Sequence, residues 1–130
     1  MGALANLLSR LLAVLALNRM KGRVKLLKES LALLASEPDV QLAHLRDLGV
    51  PDHVDELALE HDDIAPTAEK MLREGEINED QLNCIKELDA ILKGMSGNSN
   101  AHLWTAESLN NAQEWRYVRR FAKQCFNKLA

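Results

Sequence analysis

The chain has 130 residues, of which 47% are apolar and 27% are charged, values typical of a single globular domain. Few β-branched residues and plentiful Leu, Ala, Glu and Lys disfavour a β-sheet and favour helices. The net charge of −3 argues against general nucleic-acid binding. The sequence therefore predicts one all-α domain over residues 1–130, a bundle of about five or six helices with a long N-terminal helix and a central C-terminal helix.

The charge is distributed unevenly along the chain. Residues 1–36 hold six basic residues and one acidic residue. Residues 37–92 hold four basic and sixteen acidic residues, and residues 93–130 hold six basic and two acidic residues. The three segments therefore carry net charges of +5, −12 and +4. An acidic middle between two basic ends indicates either that the ends fold back onto the middle or that the middle meets a basic partner.

The first predicted element is a long helix over residues 3–36, which is apolar as far as Leu17 and basic beyond it. Its apolar run, residues 11–17, is much shorter than the ~20 residues that span a bilayer. A signal peptide is disfavoured because no small-x-small cleavage site follows this run cleanly. The helix is expected to pack its leucines into the bundle, and the alternative is a basic helix lying on an anionic membrane surface.

Four helices are expected in the acidic middle, each marked by a capping residue or a proline at its start. A glycine is expected to close three of them. The last of the four carries a capping box, in which Asn78 is paired with Gln81 three residues later. The starting residues are, in order, Ser36, Pro51, Pro66 and Asn78, and the closing glycines are Gly49, Gly75, and Gly94 or Gly97.

Residues 95–100 are a loop by composition, and Thr105 is expected to cap a brief turn. The final helix, from Asn111 onward, repeats apolar residues at spacings of three and four. Asn111 is its expected cap, with Glu114 three residues later. Every aromatic residue lies at or beyond Trp104, so this helix is expected to be central to packing. The residues predicted to be mostly buried are Trp115, Val118, Phe121, Ala122 and Cys125.

The two cysteines, Cys84 and Cys125, are too few for a disulfide framework or a zinc motif. Both lie in apolar helical patterns, which favours buried free thiols. Free thiols would in turn indicate a reducing cytoplasm.

The densest polar cluster is at residues 52–63, where six acidic residues accompany His53 and His61. It has three interpretations: a solvated face, a protein-binding surface, or a metal site at His53, Glu56 and Glu60. The last is disfavoured because the chain has neither a Glu-x-x-His pair nor a His-Glu-x-x-His motif. The candidate protein-binding residues are Asp52, Asp55, Glu56, Glu60, Asp62 and Asp63.

A second charged cluster lies on one face of the final helix and consists of Arg116, Arg119, Arg120 and Lys123. It is expected to pair with the acidic middle or to be solvated, while contact with phosphate is the alternative. Only Tyr117 is interleaved with these residues, which disfavours nucleic acid as a partner.

From Leu92 onward the sequence resembles the C-terminal third of small helical bacterial proteins, some of which are immunity proteins for polymorphic toxins. The resemblance is carried by Met95-Ser96-Gly97, Leu103-Trp104-Thr105 and Trp115-x-x-Val118-Arg119. It implies a bacterial binding protein whose acidic surface masks a basic toxin, without catalytic residues of its own.

The sequence therefore predicts a cytoplasmic, non-enzymatic protein that binds a basic protein partner. No cofactor, metal or small-molecule substrate is indicated, since nucleophile elbows and glycine-rich phosphate loops are both lacking in the sequence. The alternatives are an adaptor for membranes or nucleic acid that uses the basic terminal helices and, more remotely, a metal-dependent enzyme.

Overall fold

The structure, a computed structural model, describes residues 22–129. This part of the chain forms seven α-helices and two short 3₁₀ helices, and it contains no strand. The predicted all-α bundle is thereby confirmed. The helices are α1 (22–35), α2 (Pro38–Asp47), α3 (Glu56–Ile64), α4 (Ala68–Arg73), α5 (Glu79–Gly94), α6 (Ala106–Asn111) and α7 (Gln113–Leu129), and the 3₁₀ helices are Ala65–Thr67 and Asn98–Leu103.

Helix α1 is the part of the predicted N-terminal helix that the structure describes; the predictions for residues 3–21 lie outside the described range. Its buried leucines, Leu27, Leu31 and Leu34, recur at spacings of four and three and face the core. Gln41 of α2 is fully buried beneath the end of α1 and donates hydrogen bonds to two of the last carbonyls of that helix. The α1–α2 corner is therefore held by side-chain as well as apolar contacts.

The prediction that Ser36 is the N-cap of α2 was wrong. Ser36 turns back, and its hydroxyl donates to the carbonyl of Ala32 at 2.7 Å, so it completes α1. Glu37 is the N-cap instead, with extended backbone and no side-chain capping bond, and Pro38 follows as the first helical residue. Proline tolerates that position because an amide hydrogen there would have no partner inside the helix.

The start of α3 was also predicted too early. Residues between Pro51 and Glu56 form turns. In these turns the His53 amide donates to the Val50 carbonyl and the Glu56 amide donates to the His53 carbonyl, each at 3.0 Å. Pro66 lies in the 3₁₀ helix rather than at the start of α4, which begins at Ala68.

Two of the predicted closing glycines and the capping box are confirmed. Gly49 and Gly75 have φ of 79° and 77°, a left-handed conformation that lets each chain segment turn away after α2 and α4. At the start of α5, the Gln81 amide donates to the Asn78 side chain at 2.8 Å and the Asn78 amide donates to the Gln81 side chain at 2.7 Å. This reciprocal pair satisfies two amides at the helix start.

Helix α7 packs along α5 and against α6, and its apolar face is buried as predicted. Trp115, Val118, Ala122 and Cys125 are all within 1% of full burial. Phe121 was predicted to be mostly buried but lies half-buried at the edge of the core. The buried residues of the described chain form a hydrophobic cluster to which all seven helices contribute.

Asn111 does not cap α7. It is the last residue of α6, and its side chain donates to the Glu107 carbonyl at 3.0 Å. The expected brief turn after Thr105 is a six-residue helix, which Thr105 caps by accepting a hydrogen bond from the Ser108 amide.

The two tryptophans connect the irregular segment before α6 to the core. Their rings meet edge to face, with centroids 5.2 Å apart. The Trp115 indole donates to the Leu103 carbonyl at 2.6 Å, and the Trp104 indole donates to the Met95 carbonyl at 2.8 Å. These contacts hold the connection between α5 and α6 against α7.

The prediction of free thiols was wrong. Cys84 of α5 and Cys125 of α7 are both buried, as expected, but they form a disulfide with Cα atoms 5.7 Å apart. The sequence separation of 41 residues concealed this pairing, which becomes visible only when α5 and α7 lie side by side. The inference of a reducing cytoplasm rested on free thiols, so it loses its basis.

The basic ends of the chain contact the acidic middle at its second half. Arg23 in α1 forms ion pairs with Glu74 and Glu76, and Lys128 in α7 forms one with Asp80. Lys93 also pairs with Asp89, so within residues 22–129 these ends pair with acids between residues 74 and 89 rather than with the acidic cluster at 52–63. Among the helices described, none combines the length and the apolarity that crossing a membrane requires.

Candidate functional site

The acidic segment, residues 52–63, forms the turn before α3 and most of that helix. Val54, Leu57 and His61 are its buried residues, and they anchor the segment to the core. The six predicted binding residues are not all equivalent in the structure. Exposed side chains are Asp52, Asp55, Asp62 and Asp63, and partly exposed ones are Glu56 and Glu60.

Two of the six acids, Glu60 and Asp63, line an open groove of about 460 Å³. Its walls come from α1, α2 and α3, and its lining combines apolar side chains with carboxylates. No Lys or Arg is among the lining residues of the described chain. The lining consists of Leu26, Glu29, Ser30, Leu33, His44, Glu60, Asp63 and Ile64.

A polar contact fixes the side chain of Glu60 in the groove. The His44 ring nitrogen Nε2 lies 2.7 Å from Glu60 Oε1, and both side chains are about one-third exposed. His44 belongs to α2 and Glu60 to α3, so this hydrogen bond connects the two helices. Since the carboxylate is held in place, it loses less side-chain entropy when it binds a cationic group than a solvated glutamate would.

A buried Ser–His pair lies beneath the groove. Ser30 Oγ and His61 Nδ1 lie 3.0 Å apart, and the His61 ring is fully buried. Burial lowers the pKa of His61 below its ordinary value of 6.5, and the negative charges of Asp89 and Asp62 only partly oppose this effect. His61 is therefore a neutral core residue whose partner is Ser30, not a ligand exposed for metal binding.

This depressed pKa predicts an acid-sensitive core. Below pH 6.5 the unfolded chain protonates His61 while the folded chain does not, so stability should fall as the pH falls towards the folded-state pKa. One such group changes the free energy of unfolding by at most about 1.4 kcal/mol per pH unit. We expect the free energy of unfolding, measured by urea titration above and below pH 6.5, to depend less on pH in His61→Gln than in the parent. His102→Gln, at an exposed histidine, is the control and should keep the parental slope.

The metal interpretation gains no support from the geometry. His53, Glu56 and Glu60 do not gather into a ligand set, and residues 22–129 contain no group of three or more His, Cys, Asp or Glu that is suited to a metal ion. His53 is exposed and Glu60 is engaged by His44.

The groove includes residues that sequence reasoning did not assign to it. Glu29 lies outside the acidic middle, and His44 is not among the binding residues that the sequence predicts. The pairing of His44 with Glu60, sixteen residues apart, has no signal in local spacing because it depends on how α2 packs against α3. Helical periodicity places both residues on helices but does not bring those helices together.

The basic residues of α7 lie at a different place. Arg116, Arg119, Arg120 and Lys123 line a separate cleft beside the α1–α2 corner. The expected pairing of this face with the acidic middle is not observed, since none of the four forms an ion pair with any residue between 22 and 129.

In comparisons with known proteins, no family model, no curated protein and no solved structure matches this chain. The residues that carry the resemblance to immunity proteins have a packing role in the structure, because Met95, Leu103, Trp104 and Trp115 form the indole contacts of the core. The resemblance therefore remains a prediction.

Proposed function

We propose that this protein is a non-enzymatic binding protein that holds a basic, amphipathic segment of a protein partner in the acidic groove between α1, α2 and α3. The observation that carries the proposal is the groove itself, which the carboxylates of Glu29, Glu60 and Asp63 line together with apolar side chains. A partner that presents lysines or arginines beside leucine-like side chains matches both features.

Three physical points support this choice. The apolar lining residues Leu26, Leu33 and Ile64 offer surface whose burial favours association. The acidic lining residues attract cations over the screening length of about 8–10 Å at physiological ionic strength. The exposed Asp52, Asp55 and Asp62 extend the negative surface beyond the groove, which would accelerate encounter with a positive partner.

Charge reversal tests the proposal, with a short peptide that repeats Lys and Leu at helical spacing as the probe. In the double variant Glu29→Lys/Asp63→Lys we expect association to slow by at least ~10-fold and dissociation to change by less than ~3-fold, because rim charges act mainly on encounter. The rates are measured by stopped-flow fluorescence or surface plasmon resonance. Raising the salt concentration should slow association with the parent protein in the same way.

Two matched variants separate the groove from net charge alone. Asp47→Lys/Glu87→Lys changes the charge by the same amount at exposed sites outside the groove and should leave association nearly unchanged. Asp52→Lys/Asp55→Lys alters the acidic surface beside the groove and should give an intermediate effect. Equal slowing by all three pairs, or equally tight binding of a peptide with Glu in place of Lys, would show that the groove is not a binding site.

A narrower version of the proposal is that the partner is a toxin and that this protein is its immunity protein in a bacterium. Its support is the sequence resemblance from Leu92 onward, together with the complementarity of an acidic groove to a basic target. Co-expression with a basic toxin from the neighbouring reading frame should restore growth, and Glu29→Lys/Asp63→Lys should abolish that rescue. Rescue that is undiminished in this variant would separate immunity from the groove.

A further inference from the structure

A second charged feature, a cleft beside the α1–α2 corner, shares no lining residue with the acidic groove. The cleft, of about 470 Å³, lies between α7, the start of α2 and the end of α6. Its charged and polar lining is Arg116, Arg119, Arg120, Lys123, Glu37 and Asn110. Four cationic groups against one carboxylate give it a strongly positive interior.

Within residues 22–129, these cations lack acidic partners at ion-pair distance. None of the four lies within ion-pair distance of an acid between residues 22 and 129, and Glu37 is the one acid that lines the cleft. Residues 1–21 contain no Asp or Glu at all, so that segment has no side-chain carboxylate to supply. The positive charge is therefore left to solvent or to a ligand.

Placing the four residues together is unfavourable for α7 alone. Four of the pairs among them are three or four residues apart, spacings at which like charges on a helix repel by roughly 0.2–0.5 kcal/mol per pair. Arg116 is also in the first turn, where the helix dipole disfavours a cation. A bound anion would instead interact favourably with the four cations and with the helix dipole.

One of the four is already held in place. Arg119 Nη1 donates to the Leu109 carbonyl at 3.0 Å, and its side chain is partly buried. Burial lowers the pKa of Arg119, which the negative charge of Glu37 partly offsets, but a guanidinium remains charged at any physiological pH. A fixed guanidinium with remaining donors binds an oxyanion with less entropy loss than a mobile side chain would.

Helix α2 adds to the positive field of the cleft. Its first residue, Pro38, lines the cleft, and its N-cap Glu37 makes no side-chain capping bond. The positive end of the dipole of this ten-residue helix therefore faces the same space as the four cations. This contribution strengthens a site that the side chains already define.

From these observations we propose that the cleft binds the phosphate group of a small phosphorylated ligand. Its volume lies within the roughly 300–1,000 Å³ of small-molecule sites. Guanidinium groups match the oxygens of a phosphate in charge and geometry. No aromatic side chain between residues 22 and 129 lines the cleft, so this part of the chain offers no surface there on which nucleobases would stack. A compact anion fits these features better than a nucleic-acid strand.

Isothermal titration of the full chain with inorganic pyrophosphate and inorganic phosphate tests the site. We expect saturable binding of pyrophosphate that weakens at least ~10-fold in Arg116→Gln/Arg120→Gln, two exposed positions that leave the Arg119 contact intact. Arg46→Gln/Arg73→Gln removes the same charge at exposed arginines outside the cleft and should bind within ~2-fold of the parent. In Glu37→Gln, which removes the carboxylate of the cleft, binding should tighten by ~2–5-fold.

Thermal melts of each variant keep the result interpretable, since all three should unfold close to the parental temperature. Unsaturable heats with pyrophosphate, or equal losses in the two arginine pairs, would overturn the proposal. Binding of macromolecules alone would also overturn it. In that outcome, single-stranded RNA or phosphatidylserine vesicles bind through Arg116 and Arg120, whereas pyrophosphate does not bind, and the ligand is not a small phosphate.

Discussion

Replacing Trp115 with alanine should lower the free energy of unfolding by about 3–5 kcal/mol, as expected when a large buried aromatic leaves a cavity. Trp115 is fully buried in α7, meets Trp104 edge to face, and donates its indole hydrogen to Leu103. The substitution therefore removes core volume, an aromatic contact and a hydrogen bond together. Chemical denaturation followed by circular dichroism measures the effect directly.

Two further variants assign the loss to its causes. Trp115→Phe keeps most of the ring volume but leaves the Leu103 carbonyl without its donor, so it should cost about 1–3 kcal/mol. Tyr117→Ala, at an aromatic residue of the same helix that is 49% exposed, should cost much less. A Trp115→Ala protein as stable as the parent would contradict the central place of α7 in the core.

Reduction of the Cys84–Cys125 disulfide should lower the free energy of unfolding by about 4 kcal/mol. The bond closes a loop between residues separated by 41 positions, and the chain-entropy relation for a loop of that length gives this magnitude. It joins α5 to α7, the pair of helices on which the core is built. The melting temperature should therefore fall by more than ~10 °C in dithiothreitol.

The double variant Cys84→Ala/Cys125→Ala controls for effects of the reductant on other groups. It should melt near the temperature of the reduced parent and should not respond to dithiothreitol. Thiol titration of the denatured, unreduced parent should detect no reactive thiol. Detection of two thiols per chain, or equal stability with and without reductant, would return Cys84 and Cys125 to the buried free thiols that their helical pattern predicts.

The two charged sites show how far the sequence leads towards function. The acidic cluster at 52–63 and the basic face of α7 are both evident from charge counts and helical spacing. Their expected mutual pairing is absent from residues 22–129, where the basic ends form ion pairs elsewhere, from Arg23 to Glu74 and Glu76 and from Lys128 to Asp80. In our two proposals, each charged face binds a ligand of opposite sign.

The sequence by itself determined the all-α class, the burial of one face of α7, the capping box at Asn78, and the turns at Gly49 and Gly75. Each of these is set by residues within about one or two helical turns of one another, so short-range stereochemistry is enough. The starts of α2 and α3 were misplaced because two residues fit more than one local structure. Ser36 can cap a helix or follow one, and Pro51 can begin a helix or a turn, and the neighbouring turns determine which of these forms.

Only the tertiary structure decided the features that join distant segments. The disulfide between Cys84 and Cys125, the hydrogen bond from His44 to Glu60, and the burial of His61 against Ser30 all depend on which helices become neighbours. Helical periodicity states which face of a helix is apolar but not which helix covers it, since apolar burial is non-directional. The groove and the cleft exist for the same reason. Each is the space between several helices, three for the groove and four for the cleft, whose arrangement no single helix encodes.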